Sequence, residues 1–189
     1  MQAFAYLSVL VSIIIGLGMA HLLAAAVRLI HNRATTRPYW PAVVWAVNLF
    51  LLMMLVWWAD FSLNAHQTWT FASFACTLAV PAALYVAAGL LLPAADVRAD
   101  DDLQAAYRDN RSWFLGTLAV AILLSYLQTY LLDGWIKADL DSGLKLVFIV
   151  FTLAPMLVRS EAVQRAAAAA NLAWLVLYIA LLFFRLREG

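Results

Sequence analysis

The sequence predicts an all-α membrane protein, a polytopic transmembrane helical bundle of six spans in a single domain covering 1–189, with its N-terminus outside. Three observations carry that prediction. Apolar residues make up 66% of the 189-residue chain and charged residues 12%, whereas a soluble fold needs roughly 25–35% charge on its surface. Apolar runs recur at about the 20 residues that cross ~30 Å of hydrocarbon. Aromatic residues stand near the ends of these runs, where amphipathic rings prefer the membrane interface.

The first run covers 4–30. No Lys or Arg precedes Arg28, so it lacks the basic flank and short apolar core of a cleaved signal, and it is expected to be a retained membrane helix. Tyr39 and Trp40 open the second run, 41–61, and Trp57 and Trp58 close it. The third, 69–92, contains Pro81, which removes the hydrogen bond to the Thr77 carbonyl and is expected to break or kink the helix.

The polar stretch 93–112 reads as a cytoplasmic linker between two three-helix halves. Within it, Asp100, Asp101 and Asp102 precede Leu103, Ala105, Ala106 and Tyr107, the pattern of an aspartate-capped helix that runs straight into the fourth span, 113–132. Trp113 and Tyr130 mark that span's two interfaces. The fifth, 140–158, is the shortest. Its core from Gly143 to Val158 covers about 24 Å as a helix, so a crossing needs Leu140 to Ser142 and a snorkelling Lys145. Pro155 acts on the Phe151 carbonyl as Pro81 does on that of Thr77. The sixth run is 166–184.

Basic residues set the expected orientation. Arg28, Arg33, Arg37, Arg98, Arg108, Arg111, Arg159 and Arg165 fall on one side of the bundle, and only Lys137, Lys145, Arg185 and Arg187 on the other. The positive-inside rule puts the arginine-rich side in the cytoplasm and both termini outside. The compact loops and the lack of an organelle signal point to a bacterial inner (cytoplasmic) membrane.

Several function classes drop out. A net charge of +1 does not give the one-signed field of a nucleic-acid binder. A lone cysteine, Cys76, leaves no internal disulfide or thiolate cluster and reads as a small packing residue. The chain has no nucleophile with a base at sensible spacing, no glycine-rich phosphate loop and no His-Glu metal motif. His21, His31 and His66 are placed too differently to face one haem iron. No cofactor, metal or catalytic residue is expected.

Two residue sets stand out. Ser8, Ser12, Gly16, Ala20 and Ala24 form a four-residue repeat of small side chains on the first helix, expected to pack against a neighbouring helix of the same chain or to form a homo-oligomer seam. On another stripe of that helix lie His21 and Arg28. Counted at ~1.5 Å per residue, His21, Asn48, Tyr85 and Asn171 sit roughly 8–14 Å deep from the arginine-rich side. They are expected to form one polar layer with Arg28 at its mouth, because polar groups at that depth face the bundle interior or a wet cavity. On the opposite side Asp60, Asp133, Asp139 and Asp141, with His66 nearby, read as solvated loop acids.

The expected function is therefore a channel or transporter for a proton, ion or small solute through the His21, Arg28, Asn48, Tyr85 and Asn171 layer. The alternative is a non-catalytic subunit or assembly factor of a larger membrane complex. In either case the partners are the lipid bilayer and further membrane subunits, in a homo-oligomer or a complex.

Overall fold

A computed structural model describes residues 3–34, 38–66, 68–92, 103–136 and 139–182. Among them there is no strand, and six helices account for nearly all: α1 (Ala3–His31), α2 (Trp40–Asp60), α3 (Phe71–Leu91), α4 (Leu103–Asp133), α5 (Leu140–Leu157) and α6 (Glu161–Leu182). A short 3-10 turn, Phe61–Ala65, follows α2. All six helices are long and apolar enough to cross a membrane, as a multi-pass protein requires. Helices satisfy their own backbone groups, the condition for standing in hydrocarbon.

Local chemistry sets the helix starts. Pro41 lies in the first turn of α2, where its missing N–H had no intrahelical partner to lose. Thr70 and Ser73 cap α3 reciprocally, each hydroxyl accepting from the other's backbone N–H at 3.1 Å. Asp139 caps α5 by accepting from the Ser142 N–H at 3.0 Å, and that backbone donor holds its carboxyl below the usual aspartate range. α4 begins at Leu103 and continues unbroken to Asp133, so the expected helix does run straight into the fourth span. Asp100, Asp101 and Asp102 lie outside the described residues. Neither proline interrupts its helix: α3 passes through Pro81 and α5 through Pro155, each held against its neighbouring helices. Of the break or kink expected at Pro81, the break is absent.

Five helices close a ring. α2 packs on α3, α3 on α4, α4 on α5, α5 on α6, and α6 returns to α2. α1 lies outside it, against α2 and α3. One end of the bundle carries Asp60, Asp133, Asp139 and Asp141, and the other Arg28, Arg108, Arg159 and Arg165. Large rings fill the arginine half, where Trp45, Tyr107 and Phe114 are fully buried and Trp45 meets Phe114 edge-on with centroids 5.4 Å apart.

α1 does not dock through its ridge of small residues. Its buried seam is Leu7, Val11, Ile15, Leu22 and Ala25, a spacing near 3.5 residues that keeps one stripe against the bundle. Gly18 completes the seam, with the Met53 Cε so close that a β-carbon there would stand 2.6 Å from it. Ser12, Gly16, Ala20 and Ala24 are exposed and Ser8 half-buried, and nothing lies within 4 Å of where Gly16 would carry a side chain. Among the described residues the Trp57 indole of α2 donates to the Ser12 hydroxyl of this ridge at 3.2 Å. Without a hydrophobic force between helices in lipid, dispersion decides the docking face, and the larger seam residues supply more of it.

This orientation makes two neighbouring glycines unequal. Gly18→Leu is expected to leave the protein about 1–3 kcal/mol less stable than Gly16→Leu, because its side chain must displace the buried Met53 thioether, whereas at exposed Gly16 leucine is neutral or, through helix propensity, stabilising by up to about 1 kcal/mol. Denaturant unfolding in detergent micelles measures both, and equal losses would contradict the assigned face of α1.

Candidate functional site

Two members of the expected polar layer meet. The Asn48 amide of α2 donates to the Asn171 Oδ1 of α6 at 2.9 Å. The Asn171 amide donates in turn to the Thr152 hydroxyl of α5 at 3.2 Å, and that hydroxyl donates to the Phe148 carbonyl at 2.9 Å. All three side chains are fully buried, and Asn48 Oδ1 has no partner. A hydrogen-bonded string thus ties together three helices of the ring.

The other three members stand elsewhere. The His21 Nε2–H donates to the Leu92 carbonyl at 2.7 Å, the residue that caps the C-terminus of α3, where helix carbonyls lack intrahelical donors. His21 therefore pins the end of α3 to α1. Arg28 lies two turns further along α1, half-buried. Tyr85 is 44% exposed and packs toward α1, its ring 3.7 Å from the β-carbon position of Gly18. Counting residues from a helix end gives depth but not azimuth, and α1 lies outside the ring that holds Asn48 and Asn171. His21, Asn48, Tyr85 and Asn171 share a depth, Arg28 lies two turns nearer the arginine end, and the five do not share a centre.

The acids at the other end are not all solvated loop residues. Asp60, Asp133, Asp141 and His66 line one cavity of about 410 Å³, a volume typical of small-molecule sites. Its walls come from α2 to α6 and the 3-10 turn, with no residue from α1. Asp139, by contrast, is exposed and serves as the cap of α5.

A polar rim surrounds this cavity. Asp141 accepts from the Lys145 ammonium at 2.6 Å, one turn away on α5, and from the Tyr178 hydroxyl of α6. His66 donates through Nε2 to the Leu132 carbonyl at 2.9 Å, fastening the 3-10 turn to α4. Gln128 donates to the Thr77 hydroxyl at 3.3 Å and lies within hydrogen-bonding reach of Asp60. The Asp60 Oδ2 is buried with no hydrogen-bond partner among the described residues. Among the described residues no group of three or more His, Cys, Asp or Glu side chains is placed to hold a metal ion.

The floor is apolar and rests on the string. Leu52, Phe148 and Leu175 line the cavity, and each lies four residues from Asn48, Thr152 and Asn171 respectively, about one 5.4 Å turn. Beyond the string, toward the arginine end, a second buried cluster follows. The Tyr107 hydroxyl donates to Gln164 Oε1 at 3.0 Å, and the Gln164 amide donates to the Pro155 and Val158 carbonyls at 2.8 and 2.7 Å, capping the end of α5. Nearby, the buried Trp45 indole N–H faces Tyr107 and the buried Tyr39 hydroxyl faces Glu161 without closing to full hydrogen-bond geometry, and Arg111 Nε is buried with no partner among the described residues. Burial, reinforced by the neighbouring Glu161, raises the pKa of Tyr39 above the ordinary tyrosine value.

Gln164, Asn171 and Tyr178 recur every seven residues on the buried face of α6. The heptad spacing, visible in the sequence, is the signal that links cavity, string and second cluster, as is the i, i+4 pair of Asp141 and Lys145. No protein-family model, curated protein or solved structure matches the chain.

Asn171 makes two hydrogen bonds in the string and Asn48 one, so Asn171→Leu is expected to destabilise more than Asn48→Leu. A double-mutant cycle on unfolding in mixed micelles should return a coupling of about 0.6–1.7 kcal/mol. Coupling indistinguishable from zero would contradict the pairing.

Proposed function

We propose that this chain is a small transport protein of a bacterial inner membrane, in which a small solute enters the cavity among α2 to α6. The Asn48, Asn171 and Thr152 string is the barrier that opens for passage. The observation that carries the reading is the axial order of polar groups inside an otherwise apolar ring. The polar-rimmed cavity ends one turn above the string, and the Tyr107 and Gln164 cluster continues it toward the other face. Polar groups at membrane depth are costly unless paired or facing a wet path. Neutral amides and hydroxyls can also exchange partners with water or solute without moving a charge.

The arginine-rich end lies in the cytoplasm by the positive-inside rule, which places the cavity mouth and the N-terminus outside. The polar pathway is thus Asn48, Asn171 and Thr152 with the cavity above them, while His21, Arg28 and Tyr85 hold the flank formed by α1 and α3. The outward ridge around Gly16, with no chain atom near it, favours a further helix there, in a homo-oligomer or as a subunit of a larger complex. A partner on α1 leaves the ring's interior unobstructed.

Proteoliposomes test the transport reading, with protons, potassium, methylammonium and glycerol as probes. At least one probe is expected to cross faster than in empty vesicles, and Asn171→Leu, normalised to folded protein, should cut that flux by at least about tenfold, the effect of closing a polar path with an apolar side chain. Flux equal to that of empty vesicles for every probe would contradict the proposal.

A further inference from the structure

We infer that the cavity takes a small organic cation, an ammonium group on a compact apolar body, with Asp60 as its counter-ion. The inference rests on the cavity being the solute's place of entry, and it names the class of solute.

The hydrogen-bond polarity of the lining decides the head group. Its hydroxyls already donate to backbone carbonyls: Ser62 to Ala59 at 2.7 Å, Ser125 to Ile122 at 2.7 Å and Thr129 to Ser125 at 3.0 Å. They turn lone pairs, not protons, toward a guest. His66 donates to Leu132, Tyr178 to Asp141 and Gln128 to Thr77. Apart from the Lys145 ammonium, which gives one of its three N–H groups to Asp141, these donors of the lining are committed within the protein, and most of what remains for a ligand is acceptors.

Charge agrees with that polarity. Three carboxylates line the cavity against one lysine. Lys145 is held on Asp141 at 2.6 Å and lies 5.9 Å from the centre of the Tyr126 ring, which neutralises Asp141. Asp133, exposed at the rim, has interactions of its own. Asp60 has Gln128 within hydrogen-bonding reach, and its buried Oδ2 has no hydrogen-bond partner among the described residues. A buried carboxylate oxygen without a donor is among the costliest polar defects a fold can carry, and a cationic N–H supplies both the donor and the charge. An anion would meet three carboxylates, with Lys145, already paired to Asp141, as the cationic donor of the lining.

The rest of the lining decides the body. Below Asp60 the walls are Leu55, Val80, Leu84, Leu118 and Leu175, closed by Phe148. This lower surface is apolar, and it suits a short hydrocarbon or an aromatic ring.

The test is equilibrium binding to the full chain in phosphatidylcholine nanodiscs, with protein-free nanodiscs as the partitioning control. Three probes share one body and differ in the head: 4-phenylbutylammonium, 4-phenylbutan-1-ol and 4-phenylbutyrate. The ammonium is expected to saturate one site, the alcohol to bind at least about tenfold more weakly, and the carboxylate not to bind. Asp60→Asn should weaken the ammonium by at least about tenfold and leave the alcohol unchanged, while Asp60→Glu retains the preference. Leu175→Trp, which fills the floor and keeps the charge, should weaken ammonium and alcohol together. Equal binding of ammonium and alcohol, ammonium binding indifferent to Asp60→Asn, or undiminished binding in Leu175→Trp would each overturn the inference. Saturable, Asp60-dependent binding without flux of any probe would uphold this site and overturn transport; flux of protons or glycerol with no ammonium preference would do the reverse.

Discussion

The hydrogen bond between Asn48 and Asn171 joins helices that are 123 residues apart in the chain, and it lies at the contact that closes the ring. Every other neighbour pair in the ring, α2 with α3 through α5 with α6, is consecutive in sequence and brought together by its connection. The α2 to α6 contact has no such tether. In lipid, where apolar surface gains nothing by leaving the solvent, packing and interhelical hydrogen bonds must hold such a contact. Thr152 extends the bond to α5, so one string fixes how three helices face one another. The cavity, its rim and the exclusion of α1 follow from that closure.

Side-chain size then decides which half of the ring is hollow. Toward the arginine end Trp45, Tyr107 and Phe114 project inward and fill the centre. Toward the acidic end the inward positions are mostly Leu, Val, Ala and Ser, with Phe148 and Tyr178 as the large rings, and they leave about 410 Å³ unfilled. The polar groups follow the same division. In the filled half Gln164 satisfies the carbonyls at the end of α5; in the hollow half Asp60 keeps an oxygen without a donor. A ring sealed at one end and open at the other, with its acceptors in the open half, is the physical basis for reading it as a place of solute entry.

Helix number and position were legible in the sequence because length and hydropathy act along the chain. Even the short fifth run, which needed Leu140 to Ser142 to reach across, forms an 18-residue helix. Azimuth was much less legible. The small-residue repeat through Gly16 and the seam through Gly18 differ by a rotation of the same helix, and only the neighbours' side chains choose between them. For the same reason Asn48 and Asn171 shared more than depth, whereas His21 and Tyr85 shared depth alone. The cavity acids were visible as residues but not as a group, because Asp60, Asp133 and Asp141 come from three helices whose order around the ring no spacing records. The seven-residue recurrence of Gln164, Asn171 and Tyr178 was readable, and it marks the interior face of α6.

The central claim is that water and solute reach the interior of the five-helix ring from the acidic end and stop at the string. Single cysteines in a Cys76→Ala background test it, at Ser125 and Leu55 in the cavity, at Ala168 beyond the string, and at Leu123 on the exposed outer face of α4. A membrane-impermeant cationic thiosulfonate is applied to each face of sealed proteoliposomes in turn. Ser125→Cys and Leu55→Cys should react from the acidic face alone, with Ala168→Cys and Leu123→Cys silent. Silence at Ser125 and Leu55 from both faces would contradict the account.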